Sequence, residues 1–106
     1  MTKQDVTYKG IELVGIAGDA RADYLIAIKK ASEGKFDEAR KLVATASDTL
    51  TQAHIAQTEM LQEEAKENYS DVTLLMVHGQ DHLMTTVLLR DLVNTIIDLY
   101  ERIGKK

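Results

Sequence analysis

The feature that most restricts how this chain can fold is an apolar segment, residues 72–89, whose one formal charge is Asp81. His78 and His82 flank that charge, so the three polar side chains share one face if the segment is helical. We expect a segment this apolar to be buried. A buried carboxylate and two imidazoles cost several kcal/mol unless they are paired, protonated or metal-bound. This cluster is therefore the main functional clue in the sequence.

The composition favours an all-α fold. Proline is absent and aromatic residues make up only 5% of the chain, while good helix formers are abundant. A length of 106 residues suits a single domain, 1–106, with one modest core. The fold class we predict is an antiparallel three-helix bundle with a spectrin-like up-down-up arrangement.

Several classes of protein do not fit the composition. The formal net charge is -4 and no basic patch is visible, so we expect no nucleic-acid binding. Because cysteine is absent, neither a disulfide framework nor a cysteine zinc site is possible. Residues 72–89 carry Asp, Gln and two His at mid-span, and the N-terminus lacks a signal-peptide core. We therefore expect a cytoplasmic protein without direct membrane insertion.

Hydrophobic periodicity predicts three helices, at about 10–32, 36–66 and 71–103. Residues 1–9 are polar and aperiodic, which indicates a loose lead-in. Gly34 is placed to take the left-handed conformation that ends the first helix. Ser70 or Asp71 is placed to cap the third.

The first two helices differ in the residues of their predicted inner faces. In the first, one face consists of Ile11, Val14, Gly18, Arg21, Leu25 and Ile28, beside a second set of Leu13, Ile16, Ala17, Ala20 and Tyr24. Its glycines, Gly10, Gly15 and Gly18, indicate the close approach of a neighbouring helix. The second helix presents a stripe of mostly small residues, namely Phe36, Ala39, Val43, Ala46, Leu50, Ala53, Gln57 and Met60.

The third helix is apolar on more faces than a three-helix monomer can bury. One stripe is Leu74, His78, Asp81, Thr85, Leu88, Leu92, Ile96 and Leu99, a second is Leu75, His82, Leu89, Val93 and Tyr100, and a third is Met76, Leu83 and Val87. The surplus indicates that this helix also packs against copies of itself. We therefore predict a homo-oligomer with closed rotational symmetry.

Spacing alone leaves three interpretations of His78, Asp81 and His82. The cluster can be a polar core layer that fixes register, a set of metal ligands one turn apart, or a nucleophilic imidazole with supporting donors. Gln80 and His82 are the donors available near His78. His54 fits a partly exposed structural histidine better than a ligand. Gly79 either leaves room for a partner or phosphoryl group, or is a neutral replacement for alanine.

Three segments of the chain resemble one known family. The stretch from Leu74 to Leu89, with His-Gly-Gln-Asp-His at its centre, is similar to the signature of the IIA component of the lactose/cellobiose-type sugar phosphotransferase system. The segments 53–62 and 33–39 look like two further parts of that family, in matching order and spacing. The likeness covers roughly residues 10–101.

This resemblance implies a nine-helix homotrimer and a phosphohistidine carrier. His78 matches the histidine that accepts a phosphoryl group from the histidine-containing phosphocarrier protein and passes it to a cysteine of the IIB component. The protein would act with a membrane IIC component during disaccharide uptake. Gln80 and His82 match positions that line the phosphorylation site. Asp81 matches an aspartate that meets its symmetry mates at the trimer axis and binds a divalent metal, taken as Mg²⁺.

The implied chemistry agrees with the residues. Three carboxylates on a threefold axis repel one another, so a shared cation or protonation becomes necessary. Oxygen-only ligation suits a hard ion such as Mg²⁺. The alternative function is a metal-stabilised structural or interaction bundle without phosphotransfer, in which the histidines only pack.

Overall fold

The computed structural model describes residues 1–68 and 71–104 and consists of three helices. They are α1 (Lys3–Ser32), α2 (Phe36–Ala65) and α3 (Leu74–Gly104). The bundle is elongated, with extents of 56 × 20 × 18 Å. Across the described ranges there is no strand, and no helix has the length and apolar character needed to cross a membrane.

Contacts between the helices establish their directions. The Tyr24 hydroxyl of α1 lies 2.9 Å from the Ser47 hydroxyl of α2, and Lys9 lies 3.9 Å from Glu59, so α1 and α2 run antiparallel. The Thr86 hydroxyl of α3 lies 3.5 Å from the Ala17 carbonyl oxygen of α1. A Cβ atom on Gly10, earlier in α1, would lie 2.8 Å from the carbonyl oxygen of Leu75, earlier in α3, so these two helices run parallel. This order confirms the predicted up-down-up bundle.

The start of α1 differs from the prediction, because the expected lead-in is helical from Lys3. Thr2 caps the helix: the Asp5 N–H donates to the Thr2 hydroxyl at 3.1 Å, and the Thr2 N–H donates to the Asp5 carboxylate at 3.0 Å. This reciprocal pair is a capping box, which satisfies backbone donors that would otherwise be free. The local cap makes a helix of a segment that lacks apolar periodicity.

The turn between α1 and α2 confirms the predicted role of Gly34. Its φ angle is 80°, in the left-handed region that glycine adopts without steric strain. The Gly34 N–H donates to Ala31 O at 3.0 Å and the Lys35 N–H donates to Lys30 O at 2.9 Å, a Schellman arrangement. The predicted bounds of α2 agree with the structure within one residue.

The cap of α3 differs from the prediction. The Met76 N–H donates to the Thr73 hydroxyl at 3.1 Å, so Thr73 performs the capping and α3 begins three residues later than expected. Asp71 lies before this cap, and Ser70 lies outside the described residues. The late start places His78 in the second turn of the helix.

The core is formed largely by alanines on α1 and α2, which let the helices approach closely. On α2 the predicted stripe is confirmed from Ala39 to Ala53, with Ala56 added. On α1 the buried face is instead Val6, Gly10, Leu13, Ala17, Ala20, Tyr24, Ala27 and Ala31. The first predicted α1 face is wrong, since Ile11 and Leu25 are each at least half exposed. Both sets have helical spacing, and the position of the neighbouring helices decides which one is inside.

The glycines of α1 have different environments. A Cβ atom at Gly10 would lie 2.8 Å from the Leu75 carbonyl oxygen, so the predicted close approach is confirmed there. Gly15 and Gly18 would meet nothing within 4 Å among the described atoms. Of these three glycines, packing within the described chain requires only Gly10.

Candidate functional site

The predicted histidine pair lies on the early turns of α3. The ring centroids of His78 and His82 are 4.5 Å apart, with an interplanar angle of 79°. The contact follows from their spacing of four residues, which stacks side chains one turn apart. His78 is exposed, whereas His82 is half-buried. An imidazole that is open to a partner therefore rests against a second one that is held in the bundle.

His82 has the surroundings of a neutral imidazole. Its Nδ1 atom is buried and has no hydrogen-bond partner among the described residues. Burial lowers the pKa of His82, electrostatic interactions with Arg21 and His78 act in the same direction, and Asp81 opposes them. A protonated ring would bury an N–H without an acceptor, which is costly. The neutral ring carries one N–H donor and one acceptor nitrogen.

Asp81 is exposed in the single chain, where we expected a buried carboxylate. It lies within an exposed apolar stripe of α3, made up of Leu74, Val77, Met84, Leu88, Leu92, Leu99 and Ile103. The exposed fraction of these side chains runs from 48% at Leu92 to 85% at Leu74. The expected burial of residues 72–89 is therefore wrong within one chain, and the predicted surplus apolar face is confirmed. Met84, at 51% exposed, belongs to this stripe and not to the core.

Gln80 has partners other than the histidines. Its Oε1 accepts a hydrogen bond of 2.6 Å from Gln57 of α2, and its Nε2 lies 3.6 Å from the Met76 sulfur. Residues two apart on an α-helix point about 200° away from each other. Gln80 therefore lies on the side of α3 opposite the His78 of its own chain and joins α2 to α3; its role as a donor stays a prediction.

Arg21 of α1 is the residue at this site that sequence reasoning missed. Its Nη2 donates to the His82 carbonyl oxygen at 3.3 Å and to the Thr85 hydroxyl, and its Nε lies 3.3 Å from the Thr86 hydroxyl. An arginine among the small and apolar residues of α1 indicates a partner on a neighbouring helix. Its spacing does not say which turn of which helix supplies that partner.

The described residues of a single chain do not form a metal centre. The described part of the chain contains no group of three His, Cys, Asp or Glu side chains that could hold an ion. Magnesium requires near-octahedral oxygen ligation, and Asp81 alone supplies one carboxylate. The residues fit a hard cation only if several copies bring their Asp81 side chains together.

The surroundings of His54 and Gly79 are those of residues with a structural role. His54 is half-buried on α2, and its carbonyl oxygen accepts a hydrogen bond of 2.9 Å from Thr58, one turn on. Gly79 is buried, and a Cβ atom there would lie 3.1 Å from the Leu13 Cβ. The space beside Gly79 is thus filled by α1 and is not open to a partner or phosphoryl group.

Comparison with known proteins decides the family. The model of the family described as PTS system, lactose/cellobiose-specific IIA subunit, matches residues 9–101. The chain belongs to this family. As a lactose/cellobiose IIA protein it is a component of the phosphotransferase system, which confirms the resemblance read from the sequence.

Individual relatives of this IIA protein agree over nearly the whole length. It is 45% identical over 102 residues to the lactose-specific EIIA component of Streptococcus mutans, covering 96% of this chain and 98% of that protein. The cellobiose-specific enzyme IIA of Bacillus anthracis superposes with a TM-score of 0.89 at 32% identity, covering 100% of this chain and 95% of the other. The IIA(chitobiose)–HPr complex of Escherichia coli gives 0.80 at 32% identity, covering 93% and 96%.

Proposed function

We propose that this IIA protein is a phosphohistidine carrier in which His78 accepts and donates the phosphoryl group. The observation that carries the proposal is the contact between an exposed His78 ring and a half-buried, neutral His82 ring. A nucleophilic imidazole needs an accessible nitrogen and a neighbour that orients it, and this pair supplies both. Phosphoryl transfer asks little more of a protein than positioning and charge stabilisation.

The transfer consists of two displacements at phosphorus. A lone pair on an imidazole nitrogen of His78 forms an N–P bond, while the N–P bond of the donor phosphohistidine breaks and its electron pair returns to the donor ring. In the second step a cysteine thiolate of the IIB component forms an S–P bond, and the electron pair of the His78–P bond returns to His78. The cysteine belongs to the partner, because this chain has none.

Two residues near His78 in the sequence support the site in different ways. His82, whose neutral ring has one N–H donor, is suited to hydrogen-bond the transferred group or the His78 ring. Gln80 supports the site at a distance, since its bond to Gln57 holds α2 against α3. We therefore propose His82 as the supporting donor.

The family supplies the partners of this proposal. The E. coli IIA(chitobiose) relative forms a complex with HPr, which supports the histidine-containing phosphocarrier protein as phosphoryl donor here. We propose the IIB component as acceptor, acting with a membrane IIC component in disaccharide uptake at the cytoplasmic side of the membrane. In this scheme the membrane component binds the sugar, so this chain needs no sugar-binding pocket.

We also propose a homotrimer of nine helices with a divalent metal, Mg²⁺, at its axis. The exposed apolar stripe of α3 supports self-association, because contiguous apolar surface of this kind marks interaction sites. Asp81 interrupts that stripe between Val77 and Met84. Three copies would bring three carboxylates together, and a shared hard cation would offset their repulsion.

The decisive experiment is labelling of the full chain with phosphorylated phosphocarrier protein. We expect wild type to take up phosphate and His78→Ala to take up none. The matched control is His54→Ala, the same substitution on α2, which should be labelled like wild type. Undiminished labelling of His78→Ala would contradict the proposal, and a wild-type chain that takes up no phosphate would favour the alternative of a structural bundle.

A further inference from the structure

The Arg21 guanidinium is held against the turn of α3 that carries His82. It donates to the His82 carbonyl oxygen at 3.3 Å, and its Nε lies 3.3 Å from the hydroxyl of the fully buried Thr86. Thr85 provides a third acceptor. Contacts at both Nε and Nη2 fix the plane of the guanidinium, because the donors of arginine form a rigid fork.

The positive charge of Arg21 is not neutralised within the described chain. All three of its acceptors are uncharged, a carbonyl and two hydroxyls. The ion pairs of the described residues do not include Arg21, and its Nη1 has no hydrogen-bond partner there. A half-buried guanidinium with unused donors is well suited to a phosphoryl anion.

The charge of the histidine pair changes during the proposed reaction. A phosphoryl group adds about two negative charges to the side chain that carries it. His78 stands one turn before His82, whose ring it contacts and whose carbonyl binds Arg21. A fixed cation at this position stabilises the charged product more than the unmodified imidazole, which makes its effect specific to one state.

We propose that Arg21 is a positioning residue that favours the phosphorylated state of His78. It holds the His82 turn in place and keeps an uncompensated positive charge beside His82, one turn from His78. This inference rests on the proposed function of His78, and it concerns how strongly the site retains a phosphoryl group.

The test measures the equilibrium of the phosphoryl group between the phosphocarrier protein and this chain. The variants are Arg21→Gln, which keeps hydrogen-bond donors without the charge, and Arg21→Lys, which keeps the charge without the fork. Lys29→Gln is the matched control, since it removes one positive charge from an exposed position of the same helix. Thermal unfolding of each unphosphorylated variant reports any loss of structure.

We expect Arg21→Gln to shift the equilibrium toward the phosphocarrier protein by about tenfold or more, as for the loss of a charge-assisted contact. Arg21→Lys should recover much of that loss, and Lys29→Gln should match wild type. The inference is overturned if Arg21→Gln lies within twofold of wild type. It is also overturned if phosphorylation of both Arg21 variants falls equally and in proportion to the decrease in their unfolding midpoints. That result would indicate a structural role alone. Failure of wild type to become phosphorylated is a separate result, and it overturns the proposed function itself.

Discussion

The backbones of Gly10 in α1 and Gly79 in α3 are in direct contact. A Cβ atom at Gly79 would lie 2.7 Å from the Gly10 carbonyl oxygen and 3.2 Å from the Gly10 Cα. A distance below 3.0 Å to backbone cannot be relieved by turning a side chain. Both residues therefore lack a Cβ because two helices cross there, one residue away from His78, the proposed nucleophile.

Gly79→Ala should destabilise the protein even though alanine is the better helix former. The gain in helix propensity is about 1 kcal/mol. Forcing a methyl group into the backbone of α1 costs roughly 1–3 kcal/mol and displaces the turn that carries His78. We expect a lower unfolding midpoint and slower phosphorylation.

The matched control for that variant is Gly15→Ala, a helical glycine whose added Cβ would meet nothing within 4 Å. It should stabilise the chain by about 1 kcal/mol through helix propensity alone. Denaturant unfolding of both variants at one protein concentration checks the pair. Equal effects of the same sign at the two positions would rule out the close contact as the cause.

Asp81→Leu should retain the proposed trimer and remove its dependence on a divalent cation. Replacing buried charges by apolar groups is often neutral or stabilising, and leucine continues the apolar stripe of α3. Sedimentation with and without chelator checks this: the assembly of wild type should weaken with chelator and that of Asp81→Leu should not. Asp91→Leu, outside the stripe, is the control and should behave as wild type. Monomers for Asp81→Leu would contradict the axial placement.

Asp5 should give the stability of the chain a dependence on acid pH. Hydrogen bonds from Thr2 lower the pKa of Asp5 in the folded state below the usual aspartate value of 3.8. A lowered carboxyl pKa means that the stabilisation is present above the unfolded value and is lost as pH falls through the folded value. The unfolding midpoint of Asp5→Asn should lie below wild type at pH 6, and the difference should shrink below about pH 3.5. A difference that is constant from pH 6 to pH 2.5 would show that the carboxylate form is not the cause.

The Gln57–Gln80 bond should couple α2 to α3. Gln57→Leu leaves the half-buried Gln80 oxygen without its donor and should cost about 1 kcal/mol, whereas the double replacement by leucine should recover most of that loss. A double-mutant cycle by denaturant unfolding measures the coupling.

Labelling of Gln80→Leu with phosphate should stay near that of wild type, because the Gln80 amide faces away from the His78 of its own chain. A loss of labelling as large as that caused by replacing His82 would support the donor role for Gln80.

Local signals in the sequence predicted much of the fold. The left-handed Gly34 and the stripe of small residues on α2 predicted the bounds of α2 within one residue. The start of α1 was missed because apolar periodicity was followed instead of the pair Thr2 and Asp5, whose spacing of three residues fits a capping box. The cap of α3 was assigned to Ser70 or Asp71 when Thr73 was equally suitable by residue type.

The sequence by itself determined the all-α class through its composition, the three helices through their periodicity, and the contact between His78 and His82 because the two residues are one turn apart. Only the tertiary structure decided that Arg21 reaches the His82 turn, that Gln57 binds Gln80, and that Gly10 meets Gly79. These pairs depend on the rotation and register of packed helices. Several faces of α1 and α3 are apolar enough to be buried, so periodicity cannot choose among them, and the shape of the packed interface does.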